Sequence, residues 1–139
     1  MSTREARCSC GALRLVVTGE PEFVVACHCL ECQRRTGSAF GVGAYFQRAQ
    51  VQVTGTSTLY RRAGQDGREL RLHFCPTCGS TVYWEADFRP GHFGVALGAL
   101  GDTGLDAPHR SVWEQSRHPW VAFTHDPLQL SRQSPPATG

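Results

Sequence analysis

Seven cysteines fall into three short clusters, and any fold for this chain has to accommodate their spacing. They read C-x-C at Cys8 and Cys10, C-x-C-x-x-C at Cys27, Cys29 and Cys32, and C-x-x-C at Cys75 and Cys78. A closed structural zinc site takes four thiolates in a tetrahedron, whereas a catalytic zinc takes three protein ligands and leaves a fourth position open. One site of each kind uses every cysteine, which points to an enzyme holding two zinc ions. A disulfide framework is disfavoured. It calls for an even count and an oxidising compartment, whereas the count here is odd. Met1 to Arg7 is polar and charged, with no apolar stretch to serve as a signal peptide. The expected setting is cytoplasmic.

The dominant hydrophobic period is two. Leu13, Leu15 and Val17 alternate with other residues, as do Leu70, Leu72 and Phe74, the pattern of half-buried strands. Shorter alternations run through Val42-Ala44-Phe46, Val51-Val53, Val82-Trp84 and Phe93-Val95-Leu97, punctuated by fifteen glycines and eight prolines. One helix of one or two turns is expected from Leu30 to Arg35, stopped by Gly37 as its C-cap. The expectation is an all-β, mainly antiparallel zinc-binding fold with a short helical turn. Residues 1–133 would form a single domain, and the proline-rich 134–139 a disordered tail.

The closed site is expected at Cys8, Cys10, Cys75 and Cys78. Cys75-Pro76-Thr77-Cys78-Gly79 has the form of a zinc knuckle at a strand end, with Gly79 letting the backbone turn beneath the ion. Cys8 and Cys10 are expected on one side of an extended segment, because strand side chains alternate. The open, catalytic site is expected at Cys27, Cys29 and Cys32. Three strongly donating sulfurs make its zinc better suited to binding a thiolate than to generating hydroxide. His28, between two ligands, is expected to point the other way in an extended segment and to serve as a supporting hydrogen-bond donor or a surface residue. The alternative for the whole cluster is a second structural site completed by a distant residue such as His73 or His92.

Residues proposed to flank this site are Arg34 and Arg35, for a substrate carboxylate, and Ser38 with Thr36 as hydrogen-bond donors. Tyr83, Trp84, Trp113 and Trp120 are candidates for an apolar mouth, with core packing as the commoner use of such residues. His109 and His118 are candidate proton shuttles.

Charge argues against a nucleic-acid partner. The formal net charge is +2, and the fourteen basic residues, all arginine, are scattered from Arg4 to Arg132 without forming a stripe. No apolar run approaches the roughly 20 residues needed to cross a bilayer, so no membrane partner is expected.

Three segments together carry a resemblance: Cys8-Ser9-Cys10-Gly11-Ala12, Cys27 through Ser38, and Phe74-Cys75-Pro76-Thr77-Cys78-Gly79-Ser80. They resemble the glutathione-dependent formaldehyde-activating enzyme family, which also includes centromere protein V. Pro108 to Leu128, with Val112-Trp113, Pro119-Trp120 and Asp126-Pro127-Leu128, resembles the C-terminal end of that family. The resemblance implies a β-tent fold and two zinc ions, with Cys27, Cys29 and Cys32 on the reactive one. It also implies a carbon–sulfur lyase activity that joins formaldehyde to a small thiol such as glutathione, giving S-hydroxymethylglutathione. The alternative within the same resemblance is a non-catalytic zinc module that binds a protein or nucleic acid.

Overall fold

A computed structural model describes residues 2–64 and 66–131. The proposed tail at 134–139 lies outside the described residues. The architecture is all-β with one short helix. A small sheet joins β1 (Thr3–Arg7), β2 (Arg14–Thr18) and β5 (Val51–Thr54), all antiparallel. The large sheet contains β3 (Phe23–Cys27), β4 (Gly41–Gln47), β6 (Thr58–Ala63), β7 (Glu69–Phe74), β8 (Thr81–Ala86), β9 (His92–Ala96), β10 (Arg110–Val112) and β11 (Leu128–Gln129). Its strand order is β11-β10-β3-β4-β9-β8-β7-β6, antiparallel except that β10 runs parallel to both β3 and β11. Helix α1 (Leu30–Thr36) follows β3 directly.

The alternating residues of β2 do what their pattern requires. Leu15 and Val17, with Leu13 and Ala6, turn inward against Val24, Ala44, Phe46, Val82 and Val95 of the large sheet. The opposite face of the large sheet is apolar too: Val25, Tyr45, Leu72, Trp84 and Val112 form a second cluster there. A strand buried on both faces reads as a continuous apolar run, which is why Phe23-Val24-Val25-Ala26-Cys27 shows no alternation. On this second face the indole of Trp84 lies across β4 and β9. A Cβ at Gly43 would sit 2.6 Å from its ring and one at Gly94 2.1 Å, so both positions must lack a side chain.

The expected helix is present, and Gly37 caps it in the left-handed region at φ 64°. One expectation needs correcting. Cys8 and Cys10 do not lie on an extended segment. The chain turns there, with the Gly11 amide donating to the Cys8 carbonyl at 3.1 Å and the Cys8 amide to Leu13 at 3.0 Å. The turn that closes the β1–β2 hairpin, rather than strand alternation, brings the two thiols together.

Candidate functional site

Two turns build the four-cysteine group. The β1–β2 turn supplies Cys8 and Cys10, and the β7–β8 turn supplies Cys75 and Cys78; their sulfurs all lie within 4.8 Å of one another. The Cys8–Cys10 separation is 3.7 Å and the Cys10–Cys75 separation 3.6 Å. Four sulfurs at zinc–thiolate distance in a tetrahedron are about 3.8 Å apart, so the donor set fits a tetrahedral metal ion. Thiols this close cannot all carry charge without a cation between them. The Ser80 hydroxyl and amide hold Cys78 down at about 5. The Ala12 amide pulls Cys10 down, but the neighbouring Cys75 and Cys8 sulfurs outweigh it and push Cys10 up to about 11.

The second group is assembled where β3 meets α1. Cys27 ends the strand, Cys29 is the N-cap of the helix and accepts the Cys32 amide at 3.3 Å, and Cys32 lies on the first helical turn. All three are half-buried, and their sulfurs lie within 4.8 Å of one another. Hydrogen bonds from Cys27 and Cys32 hold the Cys29 sulfur far below the usual thiol range, with a smaller contribution from the charge of Arg62. Cys27 is driven far upward by its own neighbours Cys29 and Cys32. Three sulfurs this close cannot all be charged without a cation among them, and they are placed to act together as a metal donor set.

Among the described residues no fourth histidine, cysteine or carboxylate joins this group. His28 points the other way and is fully buried. Its Nε2 lies 2.8 Å from the Ser111 hydroxyl, which in turn donates to Glu114. With the Ser111 proton committed to Glu114, Nε2 of His28 carries a proton and donates. His73 is held between Ser57 and Glu85, and His92 contacts Glu22 at 2.7 Å.

A cavity of about 710 Å³ opens on the three-cysteine group, over the second apolar face of the large sheet. Cys27, Cys29 and Cys32 line one side, and none of the other four cysteines reaches it. The volume falls in the range of small-molecule sites. Among the residues singled out from sequence, Arg34, Arg35, Trp84 and Trp113 line the cavity. Arg34 is paired with Glu31 at 2.6 Å, while Arg35 lies over the Trp84 ring at 4.7 Å. Ser38 lies outside the lining, with its amide donating to Thr36 Oγ1. Thr36 in turn donates to the Cys32 carbonyl at 2.8 Å and so closes the helix.

Tyr83 packs into the core between the sheets, and Trp120 is 73% exposed. His109 accepts the Val24 amide at 2.9 Å through Nδ1, a structural bond that ties β3 to the chain entering β10.

Three residues were not legible as site residues. Gln33 donates to the carbonyls of His28 at 2.9 Å and Ser116 at 3.2 Å, and its Oε1 lies 2.8 Å from His118 Nε2. It therefore fastens α1 to the end of β3 and to the turn after β10. Tyr45 lines the cavity with its hydroxyl accepting the Trp84 indole N–H at 3.0 Å. Burial keeps that phenol protonated, its pKa raised well above the ordinary value. Arg62, on β6, reaches the cavity from the far edge of the sheet. None of the three stands in a spacing pattern with the cysteines, so only the fold could reveal them.

A mostly antiparallel β fold carrying one three-cysteine and one four-cysteine group, each able to hold a metal ion, defines the class. The chain belongs to the glutathione-dependent formaldehyde-activating enzyme family, whose model matches residues 3–116. Among solved structures it is similar to a Rhodobacter sphaeroides protein, with a TM-score of 0.54 and 24% identity over 73% of this chain and 90% of that one. That likeness speaks for the fold alone. No curated protein matches the chain. No helix among the described residues is long and apolar enough to cross a membrane.

Proposed function

We propose that this protein is a zinc-dependent carbon–sulfur lyase that adds a small thiol to formaldehyde or a related small aldehyde. The observation that carries the reading is the contrast between the two cysteine groups. The three-cysteine group opens on the cavity, while none of the residues of the four-cysteine group lines it. Cys8, Cys10, Cys75 and Cys78 would hold a structural zinc, and Cys27, Cys29 and Cys32 a catalytic one. When bound by three thiolates, zinc supplies one open position at which a substrate thiol is held as thiolate at neutral pH.

The chain supplies the remainder. Trp84, Trp113 and the apolar strand residues shield the reacting atoms from bulk water. Arg35 and Arg62 favour negative charge beside the sulfurs. Tyr45 holds a proton on a hydroxyl whose lone pair is already occupied by Trp84. In the reaction the thiol sulfur forms a bond to the aldehyde carbon as the carbon–oxygen π bond breaks. The new oxygen takes a proton, first shared from Tyr45 Oη, and the thiol proton leaves to solvent, so no oxidant or reductant is needed. The reverse step cleaves the adduct.

Because thiols and formaldehyde combine unaided, the test is a rate above that background. NMR exchange of the hydroxymethyl group, with the zinc-loaded protein and with Cys29→Ser, measures it. Acceleration lost in the variant is the expected result. No acceleration with any thiol by protein holding two zincs would overturn the enzyme reading in favour of a binding module.

A further inference from the structure

We propose that the thiol this cavity selects carries a carboxylate and an apolar, ring-sized body, with Arg35 and Arg62 as the specificity-determining residues for the carboxylate. The inference rests on the thiol-binding reading of the three-cysteine group and names the substrate class for it.

The charged lining is lopsided once its internal pairs are counted. Glu31 is taken by Arg34 at 2.6 Å, Asp66 by Arg68 at 2.5 Å, and Glu69 by Arg61 and Arg71 at 3.0 and 3.1 Å. Arg35 and Arg62 also line the cavity, and neither has a carboxylate partner among the described residues. They approach the sulfurs from different elements. Arg35 leaves the last turn of α1, whereas Arg62 comes from β6, and both reach the cavity lined by the three cysteines.

Arg35 is also fixed in place. Its guanidinium lies over the Trp84 ring, in space that a side chain at position 41 would fill: a Cβ on Gly41 would fall 2.5 Å from its Nη2. A planar cation seated in this way is pre-organised for a carboxylate.

The sheet face that lines the same cavity is apolar. Leu70, Leu72, Phe88 and Val112 join Trp84 and Trp113 there, and such a surface rewards a hydrocarbon ring and penalises peptide groups left without partners. Glutathione brings an ammonium and two peptide units, whereas every carboxylate lining the cavity is already paired with an arginine. The better match is an aralkyl thiol bearing one carboxylate.

Calorimetric titration of the zinc-loaded protein tests this with 3-phenyl-2-sulfanylpropanoate, its primary amide, 3-sulfanylpropanoate, glutathione and the S-methyl form of the first. The aromatic acid should bind about tenfold or more tightly than its amide, from charge-assisted hydrogen bonding. It should exceed 3-sulfanylpropanoate by a similar factor, from burial of the ring. Arg62→Gln and Arg35→Gln should each weaken binding of the acid more than that of the amide, bringing the two to within about threefold. Equal affinity for acid and amide in the wild type, or tighter binding of glutathione than of the aromatic acid, would overturn the proposal. So would an equal loss for acid and amide in the variants, which would assign both arginines to the metal centre alone. The S-methyl arm separates the two readings. If thiol and thioether bind alike but follow the arginines, the carboxylate subsite stands and the thiol-binding reading falls.

Discussion

At the scale of single residues, the site depends on side chains whose partners come from distant strands. Tyr45 and Trp84 share one hydrogen bond, and both line the cavity. Tyr45→Phe should slow adduct formation by about tenfold or more while thiol affinity stays within about twofold. Loss of the acceptor for the Trp84 N–H should also cost about 1–3 kcal/mol in stability. An unchanged rate in NMR exchange would remove Tyr45 from the chemistry. The bed of the indole is equally specific. Gly94→Ala places a Cβ 2.1 Å from Trp84 Nε1, and overpacking of this kind should destabilise by about 1–3 kcal/mol in urea unfolding.

Glu85 provides a pH test. Burial alone would raise its carboxyl, but Arg48, and then His73, outweigh burial and hold it below the ordinary value. A carboxyl depressed in the folded state stabilises above its unfolded pKa near 4.5 and loses that contribution as pH falls through the folded value. The stability difference between wild type and Glu85→Gln should therefore be largest near pH 7, about 0.5–1 kcal/mol, and should shrink below about pH 4.5. A gap that widened on acidification would refute the pairing.

At the scale of elements, α1 is seven residues long and could not persist alone. Its ends and one polar side chain hold it. Cys29 caps the first turn, Gly37 the last, and Gln33 spans the gap to His28 and Ser116. Because α1 carries Cys32 and its N-cap is Cys29, slack in the helix becomes slack in the three-cysteine group. Gln33→Ala should cost about 1–3 kcal/mol. It should also speed metal loss from that group to a chelator by about tenfold, as loss of a supporting hydrogen bond does at other metal sites. Metal release from the four-cysteine group, measured in the same chelator assay, should not change; equal acceleration at both would show a general loosening of the fold.

At the scale of the whole molecule, the four-cysteine group joins the hairpin turn of the small sheet to a turn of the large one. A metal there closes a loop of the chain from Cys8 to Cys78 and adds its binding free energy to folding. The three-cysteine group closes only a local loop. Progressive chelation should therefore remove one metal with near-UV circular dichroism intact and lose tertiary structure with the second. Cys29→Ser should remain folded with about one metal fewer, and Cys75→Ser should fail to fold. Simultaneous loss of both metals and structure would contradict the division into open and structural sites.

The cysteine spacing and the period-two runs were enough, by themselves, to specify an all-β chain, one short helix ending at Gly37 and two separate groups of thiols. These signals are local: thiolates two or three residues apart can converge on one ion wherever the backbone turns, and alternation records which strands have one wet face. Strands β1, β6, β10 and β11 left no such record, being polar, exposed or very short. The parallel placement of β10 beside β3 was likewise hidden, because pairing depends on residues more than eighty positions apart. Only the tertiary structure decided which side of the large sheet became a cavity. It also decided that Arg62 and Tyr45 share the lining of that cavity with Arg35 and Trp84. Each of those outcomes comes from burying both faces of one sheet, and a single strand carries no information about what will cover its second face.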